Sequence, residues 1–267
     1  MKNTPKKKTK FIPVVLLFLC VALVVTVAVT AAGGRRASTQ EETVEETGAD
    51  SDSAQSEKPT LTRGEFPLLQ VGTDVYALEN EILNITVYEN VAVTTDTYSG
   101  SGFVWMEDES GLVIVTAAHV LADRNGGTVE MVSLSQGWVD VAFSGEDVVT
   151  ADGYDLAFIH LSADIAETLL YIPLSSYTGA DAQTGDDLWI VDSIYGSGTG
   201  IESATVANPL IYFEDYGVEL LYIYGQGKEG MSGSPVYSTE GLLVGMVCGM
   251  SEDGTELAAV PVQVIEE

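Results

Sequence analysis

Residues 230–235 of the chain read Gly-Met-Ser-Gly-Ser-Pro, a serine between two glycines that is closed by a proline just before an apolar run. Glycine tolerates backbone conformations that other residues avoid, so Gly230 and Gly233 predict a sharp turn around Ser232. Such a turn lets the N–H groups of Gly230 and Ser232 point together at a developing oxyanion. We therefore predict Ser232 as a nucleophile and these two N–H groups as its oxyanion hole.

Two upstream segments carry the residues that a serine nucleophile requires. His119 follows Thr-Ala-Ala, and Asp155 begins the run Asp-Leu-Ala-Phe-Ile. A serine hydroxyl needs a base to take its proton, and imidazole is suited because its ordinary pKa is about 6.5. A carboxylate can then hold the imidazole in the correct tautomer. We predict His119 as general base and then acid, and Asp155 as the orienting carboxylate.

Other candidates for these roles are weaker. His160 lies inside an apolar run and is interpreted as structural. Ser99, Ser101, Ser197 and Ser234 also lie near glycines, but those glycines are interpreted as serving turns. The nucleophile elbow of α/β-hydrolases needs Gly-x-Ser-x-Gly and the order Ser, Asp, His. Ser234 breaks that motif, and the order here is His, Asp, Ser.

These motifs resemble those of the chymotrypsin-like serine proteases, and in particular the bacterial HtrA/DegP-like branch. The similar segments begin at about residue 80 and occur in the family's order, at 101–104, 113–121, 155–159, 185–191, 200–204, 241–247 and 259–262. The resemblance implies a serine endopeptidase built from two six-stranded antiparallel β-barrels, with the active site between them. His119 and Asp155 are expected from the first barrel and Ser232 from the second.

The chain departs from the family pattern at several places. Met231 stands where trypsin-type enzymes carry an aspartate that pairs with a newly cut N-terminus, so we expect no activation by that ion pair. Ser234 replaces a glycine that is usual in the family. HtrA proteases usually continue into a PDZ domain, and we expect no such module here.

The resemblance also implies a pocket for the substrate side chain. We expect one wall from Gln226 and Gly227, and the other from Met246, Val247 and Cys248. Neither wall offers a carboxylate to offset the desolvation of a lysine or arginine. The sequence therefore predicts a shallow preference for small to medium aliphatic side chains.

The pattern of short apolar runs between turn residues predicts an all-β fold. The runs are rich in β-branched and aromatic residues and lie at 87–93, 113–115, 129–134, 156–161, 188–191, 220–224 and 242–247. Helix is expected only at 74–83 and 163–170. We expect barrel one at about 80–165 and barrel two at about 172–265.

Charge and cysteine content exclude several classes of partner. The chain has 11 Lys and Arg residues against 40 Asp and Glu residues, which gives a net charge of −29. A surface this acidic repels phosphate backbones, so no nucleic acid partner is expected. Two histidines and two distant cysteines offer no metal-ligand spacing and no disulfide, so we predict no metal and no cofactor.

The N-terminal region predicts attachment to a membrane. Residues 12–32 carry no charge and are long enough to cross about 30 Å of hydrocarbon as a helix. Lysines concentrated in residues 1–11 predict that this end stays in the cytoplasm. Residues 33–64 are polar and acidic and are expected to form a disordered linker before the protease domain at 65–267. The alternative is a secreted domain after cleavage of a signal peptide near Ala31.

Taken together, the sequence predicts a single-pass cell-membrane protein whose serine endopeptidase domain lies outside the cytoplasm and hydrolyses protein or peptide substrates. Two alternatives stay open at this point. One is a protease-like binding module with little turnover, and the other is a serine esterase on the same fold.

Overall fold

The computed structural model describes residues 11–12, 61–70, 72–122, 131–136, 139–179, 181–194 and 198–267. The predicted cytoplasmic segment, anchor and linker therefore lie outside the described residues, apart from positions 11–12 and 61–64. None of the helices in the described ranges has the length and apolar character needed to span a membrane.

The described residues form two antiparallel sheets, as the apolar runs predict. The strands are β1 (Phe11–Ile12), β2 (Asn90–Thr95), β3 (Ser99–Asp108), β4 (Gly111–Thr116), β5 (Met131–Gln136), β6 (Val139–Ser144), β7 (Val148–Thr150), β8 (Ala157–Ser162), β9 (Asp187–Ile194), β10 (Gly198–Phe213), β11 (Val218–Gly225), β12 (Pro235–Ser238), β13 (Leu243–Ser251) and β14 (Glu256–Pro261). The helices are α1 (Val75–Thr86), α2 (Ala163–Ala166) and α3 (Val262–Glu266), with 3₁₀ turns at Ala118–Leu121, Gly145–Asp147 and Leu174–Ser176.

The second sheet closes into a barrel. Its strand order is β1-β13-β12-β9-β10-β11-β14, and β13 also pairs with β14, so six strands form a closed ring. In that closing ladder Met246 faces Val260 and Val247 faces Ala259. The short β1 pairs with the end of β13, where Phe11 faces Ser251. The six-stranded second barrel of the sequence prediction is confirmed.

The first sheet differs from the predicted barrel because it is open. Its seven strands follow the order β6-β5-β2-β3-β4-β8-β7, and within the described ranges no ladder joins β6 to β7. These two edge strands are consecutive in the chain, and the 3₁₀ turn Gly145–Asp147 connects them. A link of three residues spans at most about 10 Å, so the sheet must roll until its edges are neighbours. The turn thus replaces the closing ladder.

Two apolar clusters fill the fold. The larger cluster contains residues of both sheets, among them Phe103, Ile114 and Ile159 of the first and Tyr237 of the second. The smaller cluster lies within the second sheet and includes Ile190, Val236 and Leu257. Because the larger cluster crosses between the sheets, burial of apolar surface joins them.

Two helices occur where the sequence predicts them, with different lengths, and α3 at Val262–Glu266 was not predicted. Asp74 precedes α1 and its carboxylate accepts the N–H groups of Tyr76 and Ala77 at 3.1 and 3.3 Å, which satisfies two donors of the first turn. The predicted helix at 163–170 is only one turn long, because α2 ends at Ala166. Its C-terminal neighbours continue as turns, with Leu169 buried in the core.

A buried ion pair fastens the segment before α1 to both sheets. The Arg63 guanidinium lies 2.5 and 3.2 Å from the carboxylate oxygens of Glu89, and it donates to the Gly241 carbonyl at 2.6 Å. The Tyr237 hydroxyl donates to the same carboxylate at 2.9 Å. We call Arg63, Glu89 and Tyr237 the Arg63 clamp. Arg63 is therefore part of the fold, two residues before the predicted start of the domain.

Aromatic rings enclose the Arg63 guanidinium. It stacks 4.5 Å from the ring centre of Tyr177 and 4.9 Å from that of Phe66. Burial raises the pKa of Glu89, and the charge and hydrogen bonds of the clamp only partly offset that effect. The clamp thus holds a carboxylate that water does not reach.

Candidate active site

His119 and Asp155 contact each other at the edge of the first sheet. The His119 Nδ1 atom lies 2.5 Å from Asp155 Oδ2, and the His119 N–H donates to Asp155 Oδ1 at 2.9 Å. Both side chains are about one-seventh exposed, at 13% and 14%. The carboxylate on Nδ1 favours the tautomer with the proton on that nitrogen, which leaves Nε2 able to accept a proton.

Local structure explains how the two residues meet. β4 ends at Thr116, and the following 3₁₀ turn Ala118–Leu121 carries His119. Asp155 lies two residues before β8, which pairs with β4 so that Ala157 faces Thr116. Neighbouring strand ends therefore place the imidazole and the carboxylate side by side, 36 positions apart in the chain.

Ser232 lies in a tight loop between β11 and β12 and is 5% exposed. Gly230 and Gly233 have φ values of 88° and 90°, in the left-handed region that favours glycine, within the sharp turn that the sequence predicts. A Cβ atom on Gly233 would lie 1.9 Å from the carbonyl oxygen of Ser101. We call residues 226–234 the nucleophile loop, after the role that the sequence predicts for Ser232.

Gly100 of β3 is the point where the nucleophile loop approaches the His119 turn. A Cβ atom on Gly100 would lie 2.7 Å from Val120 and 2.8 Å from the Ser232 carbonyl oxygen. Val120 is the residue after His119. One position beside Gly100 is therefore close both to the residue after His119 and to the Ser232 carbonyl, at the boundary between the two sheets.

The predicted oxyanion donors have no acceptor among the described residues. The Met231 carbonyl accepts the Ser234 N–H at 2.9 Å. In a trans peptide the N–H and C=O groups point in opposite directions, so this bond turns the Ser232 N–H away from Ser234. Within the described ranges, no hydrogen bond uses the N–H group of Gly230 or Ser232.

The predicted pocket residues divide into two groups. Met246, Val247 and Cys248 of β13 are buried, with Met246 and Cys248 in the larger apolar cluster and Val247 in the smaller one. β13 is covered on both faces, which directs its successive side chains into these two clusters. The Cys248 thiol, whose pKa burial raises, contacts the Ala258 carbonyl at 3.4 Å.

Gln226 and Gly227 lie beside a different pair of side chains. A Cβ atom on Gly227 would lie 2.8 Å from Leu257 and 3.0 Å from the Met250 sulfur. The Gln226 amide donates to the Gly254 carbonyl at 3.3 Å. Met250 and Leu257 are therefore the apolar side chains against this part of the nucleophile loop, and the sequence analysis did not select them.

Tyr216 is a further residue that the sequence analysis missed. Its hydroxyl donates to the Cys248 carbonyl at 3.4 Å, and a Cβ atom on Gly249 would lie 1.9 Å from that hydroxyl. Burial raises the pKa of Tyr216, and nearby negative charges, including that of Asp155, raise it further. The glycine at 249 makes room for this ring, and that glycine is the only signal of the contact in the sequence.

An ion pair joins the nucleophile loop to strands β9 and β10. The Lys228 ammonium lies 2.9 Å from Asp192 of β9 and 3.3 Å from Glu202 of β10. Partial burial disfavours the charge on Lys228, but hydrogen bonds and charges from these two carboxylates outweigh burial and raise its pKa. The pair fixes the loop two residues before Gly230.

His160 lies away from this site. Its Nε2 atom is 3.0 Å from the Ser110 hydroxyl, which donates to Asp108 at 2.5 Å in the turn between β3 and β4. The contact fits the structural role predicted for His160. In the part of the chain that the structure describes, no group of three His, Cys, Asp or Glu residues is arranged to hold a metal ion.

The chain belongs to the trypsin-like peptidase family, whose domain model, described as "Trypsin-like peptidase domain", matches residues 100–246, more than half of the chain. The predicted resemblance to chymotrypsin-like serine proteases is thus confirmed, and the chain is a serine protease, a hydrolase. No curated protein sequence matches the chain.

Solved structures share the fold. The active form of the Rv3671c protease from M. tuberculosis is 21% identical, with a TM-score of 0.56 over 78% of this chain and 90% of that one. Deg5 is 20% identical, with a TM-score of 0.55 over 74% of this chain and 94% of that one. The serine endoprotease from Yersinia pestis is 19% identical, with a TM-score of 0.52 over 70% and 63% of the two chains. At these identities the likeness shows the fold alone.

Proposed function

We propose that the chain is an endopeptidase in which Ser232, His119 and Asp155 form the catalytic triad. The observation that carries the proposal is the joint arrangement around Gly100. Asp155 contacts His119 at two points, and beside Gly100 the residue after His119 comes close to the Ser232 carbonyl of the glycine turn. The residue types and their order fit acyl transfer by a serine nucleophile.

In the proposed acylation step, Ser232 Oγ attacks the carbonyl carbon of the scissile peptide bond and its proton passes to His119 Nε2. The N–H groups of Gly230 and Ser232 stabilise the negative oxygen of the tetrahedral intermediate. Asp155 stabilises the imidazolium while it exists. The intermediate collapses as the imidazolium gives its proton to the leaving amine, and the C–N bond breaks.

In the deacylation step a water molecule attacks the ester carbon and passes its proton to His119. The second intermediate releases the carboxyl product, and the proton returns to Ser232 Oγ. No residue changes its protonation state over the full cycle. The site therefore needs no cofactor for this reaction.

We further propose that the protease domain is anchored outside the cytoplasm by residues 12–32. The lysine-rich segment before them and the uninterrupted apolar run support this location. The proposed substrates are proteins or peptides with small to medium aliphatic side chains at the cleavage position. The Met250 and Leu257 side chains beside Gly227 support that preference.

The experiment compares Ser232→Ala with Ser234→Ala in the full-length chain. Ser234 is the matched control, because its buried hydroxyl has no hydrogen-bond partner in the described residues. We expect Ser232→Ala to lower casein hydrolysis by about 10⁶-fold and to abolish labelling by a fluorophosphonate, whereas Ser234→Ala keeps both. The peptides released from casein report the side-chain preference.

Three results contradict the proposal. A folded wild-type chain that neither hydrolyses casein nor takes the label favours a protease-like binding module. Labelling that persists in Ser232→Ala identifies another nucleophile. Hydrolysis of esters together with intact casein points to the serine esterase.

A further inference from the structure

Ser101 of β3 contacts the nucleophile loop with both of its hydrogen-bond donors. Its N–H donates to the Ser232 carbonyl at 2.8 Å, and its hydroxyl donates to the Gly230 carbonyl at 3.0 Å. The side chain is fully buried. One residue of the first sheet thus binds the nucleophile loop on both sides of Met231.

The direction of the Ser101 hydroxyl follows from its other neighbour. The Ser193 N–H of β9 donates to the same Oγ atom at 2.9 Å. An N–H group can only donate, so the single hydroxyl hydrogen is left for the Gly230 carbonyl. The hydroxyl therefore links β3, β9 and the nucleophile loop with one accepted and one donated hydrogen bond.

These bonds fix the peptide groups on which the oxyanion donors depend. The Ser101 hydroxyl holds the Gly230–Met231 peptide, while the bond from Ser234 to Met231 holds the next peptide and hence the Ser232 N–H. The Ser101 N–H holds the third peptide through the Ser232 carbonyl. A carbonyl that is fixed in place also fixes the rotation of Gly230, which carries the other oxyanion N–H.

The backbone of Gly230 must be restrained if its N–H group is to keep one direction. Its φ of 88° is open to glycine, and glycine rotates more freely than any other residue. The Ile194 side chain of β9 packs against its Cα atom, where a Cβ would lie 2.7 Å from Ile194. The Ile194 contact restrains Gly230 from one side, and the Ser101 hydroxyl restrains its carbonyl.

Ser101 is itself held rigidly. The Thr116 hydroxyl donates to the Ser101 carbonyl at 2.7 Å, and Gly233 packs directly on that carbonyl. Ser101 therefore uses its N–H, its C=O and its hydroxyl in contacts that converge on the nucleophile loop. A residue needed only for core packing requires no such set of polar contacts.

We infer that Ser101 is a positioning residue whose hydroxyl holds the nucleophile loop in the conformation that presents the N–H groups of Gly230 and Ser232 together. The inference rests on the proposed function. Because these N–H groups act on the transition state, loss of the hydroxyl lowers kcat more than it changes KM.

The experiment uses Ser101→Ala and Ser101→Cys in the full-length chain, with Thr86→Val as control. Cysteine keeps the side-chain size but replaces a strong donor by a weak one, and it serves if alanine does not fold. Thr86 is also fully buried, and its hydroxyl bonds the Ile82 carbonyl inside α1. Two quantities are measured, the steady-state constants for a peptide substrate and the amide hydrogen exchange of residues 226–234.

For Ser101→Ala we expect kcat to fall about 10- to 100-fold with KM changed less than about threefold, since removal of an oxyanion donor itself costs about 10²–10³. Ser101→Cys is expected between alanine and wild type. Hydrogen exchange in the nucleophile loop is expected to accelerate in both variants. Thr86→Val is expected to leave kcat and the loop exchange unchanged.

The two measurements separate failure of this inference from failure of the proposed function. Unchanged loop exchange in a folded Ser101→Ala protein overturns the inference, whatever the activity. Faster exchange with an unchanged kcat also overturns it. A wild-type chain without turnover overturns the proposed function, and faster exchange in the Ser101 variants then still supports a hydroxyl that holds the loop.

Discussion

Asp155 contacts His119 through the backbone N–H as well as through the ring. A carboxylate attached to the ring alone could swing with it. The second bond ties the carboxylate to the main chain of His119, so the carboxylate cannot swing with the ring. Two contacts within one pair of residues are therefore enough to fix the imidazole before any substrate binds.

The two histidines provide a comparison at this scale. We expect His119→Ala to lower casein hydrolysis about as much as loss of the nucleophile, about 10⁶-fold, because Ser232 then lacks its base. We expect His160→Ala to stay within about threefold of wild type, since its Nε2 hydrogen-bonds the Ser110 hydroxyl in a surface turn. Initial rates on both folded variants decide the matter. Equal losses from the two would show that His119 is not the base.

The identities of the site residues could be predicted from the sequence, but their supports could not. His119, Asp155 and Ser232 stand in motifs that resemble those of a family, and the glycines around Ser232 predict the turn that the structure contains. Ser101 lies between two glycines that the sequence analysis interprets as serving turns, whereas the structure places all three residues within β3. Its partners Gly230 and Ser193 are 129 and 92 positions away, and no local pattern encodes contacts at such separations.

At the scale of elements, the end of β9 is a platform for the nucleophile loop. Asp192 pairs with Lys228 and Ile194 packs on Gly230, while the N–H of Ser193 between them donates to Ser101, which in turn bonds the loop. Side chains of a strand alternate between its two faces, so Asp192 and Ile194 lie on the same face. Ser193 between them contributes through its backbone N–H instead of its side chain. One strand end thus restrains the loop by charge, hydrogen bonding and packing.

Gly233 and Gly185 allow a test of how closely the nucleophile loop packs on β3. Both have φ near 90°, so an alanine costs about 1–2 kcal/mol in backbone strain at either position. Only at Gly233 would the new Cβ meet backbone, 1.9 Å from the Ser101 carbonyl, whereas nothing lies within 4 Å at Gly185. We expect Gly233→Ala to lower the free energy of unfolding well beyond Gly185→Ala in urea titrations. Similar losses would mean that β3 and the loop are not in contact.

The apolar runs predict where strands lie, but the residues at which strands begin and end depend on tertiary contacts. The predicted run at 156–161 corresponds to β8 at Ala157–Ser162. The predicted strand at 87–93 begins only at Asn90, because α1 continues to Thr86 and Glu89 is drawn into the clamp. The open first sheet was also not predictable, since it depends on a three-residue turn that replaces a ladder.

At the scale of the whole molecule, positively charged side chains are scarce among the described residues. Arg63 and Lys228 are the only Arg and Lys side chains in the ranges that the structure describes, and each is paired with a carboxylate. One joins the first residues of the fold to both sheets, and the other supports the nucleophile loop. Both described cations therefore serve the structure: Arg63 where the two sheets meet, and Lys228 beneath the candidate site.

The Arg63 clamp gives a prediction about stability and pH. We expect Arg63→Gln to lower the free energy of unfolding by about 3–5 kcal/mol at pH 7.5, since it leaves a buried charge on Glu89 without its partner. The pKa of Glu89 is already raised, so the folded state binds this proton more tightly than the unfolded state. The stability that this proton provides is present below the unfolded carboxyl pKa of about 4.3 and is lost as pH rises through the folded pKa.

Removal of the guanidinium raises the pKa of Glu89 further. In the variant, the free energy of unfolding therefore keeps falling with pH up to a higher pH than in the wild type. The loss caused by Arg63→Gln should therefore be smaller at pH 5 than at pH 7.5 in chemical denaturation. The double variant Arg63→Gln with Glu89→Gln is the control and should show the same loss at both pH values. A loss in the single variant that does not depend on pH would argue against a charged Glu89 as its cause.

The clamp also bears on mechanics. A force that pulls on the chain from the N-terminal side of Thr62 reaches the guanidinium of Arg63 before it reaches any strand of the first sheet. Its carboxylate, carbonyl and ring contacts are short-range and must break almost together. The fold should therefore resist such a load stiffly up to one rupture event, after which the ladders of the first sheet come under tension.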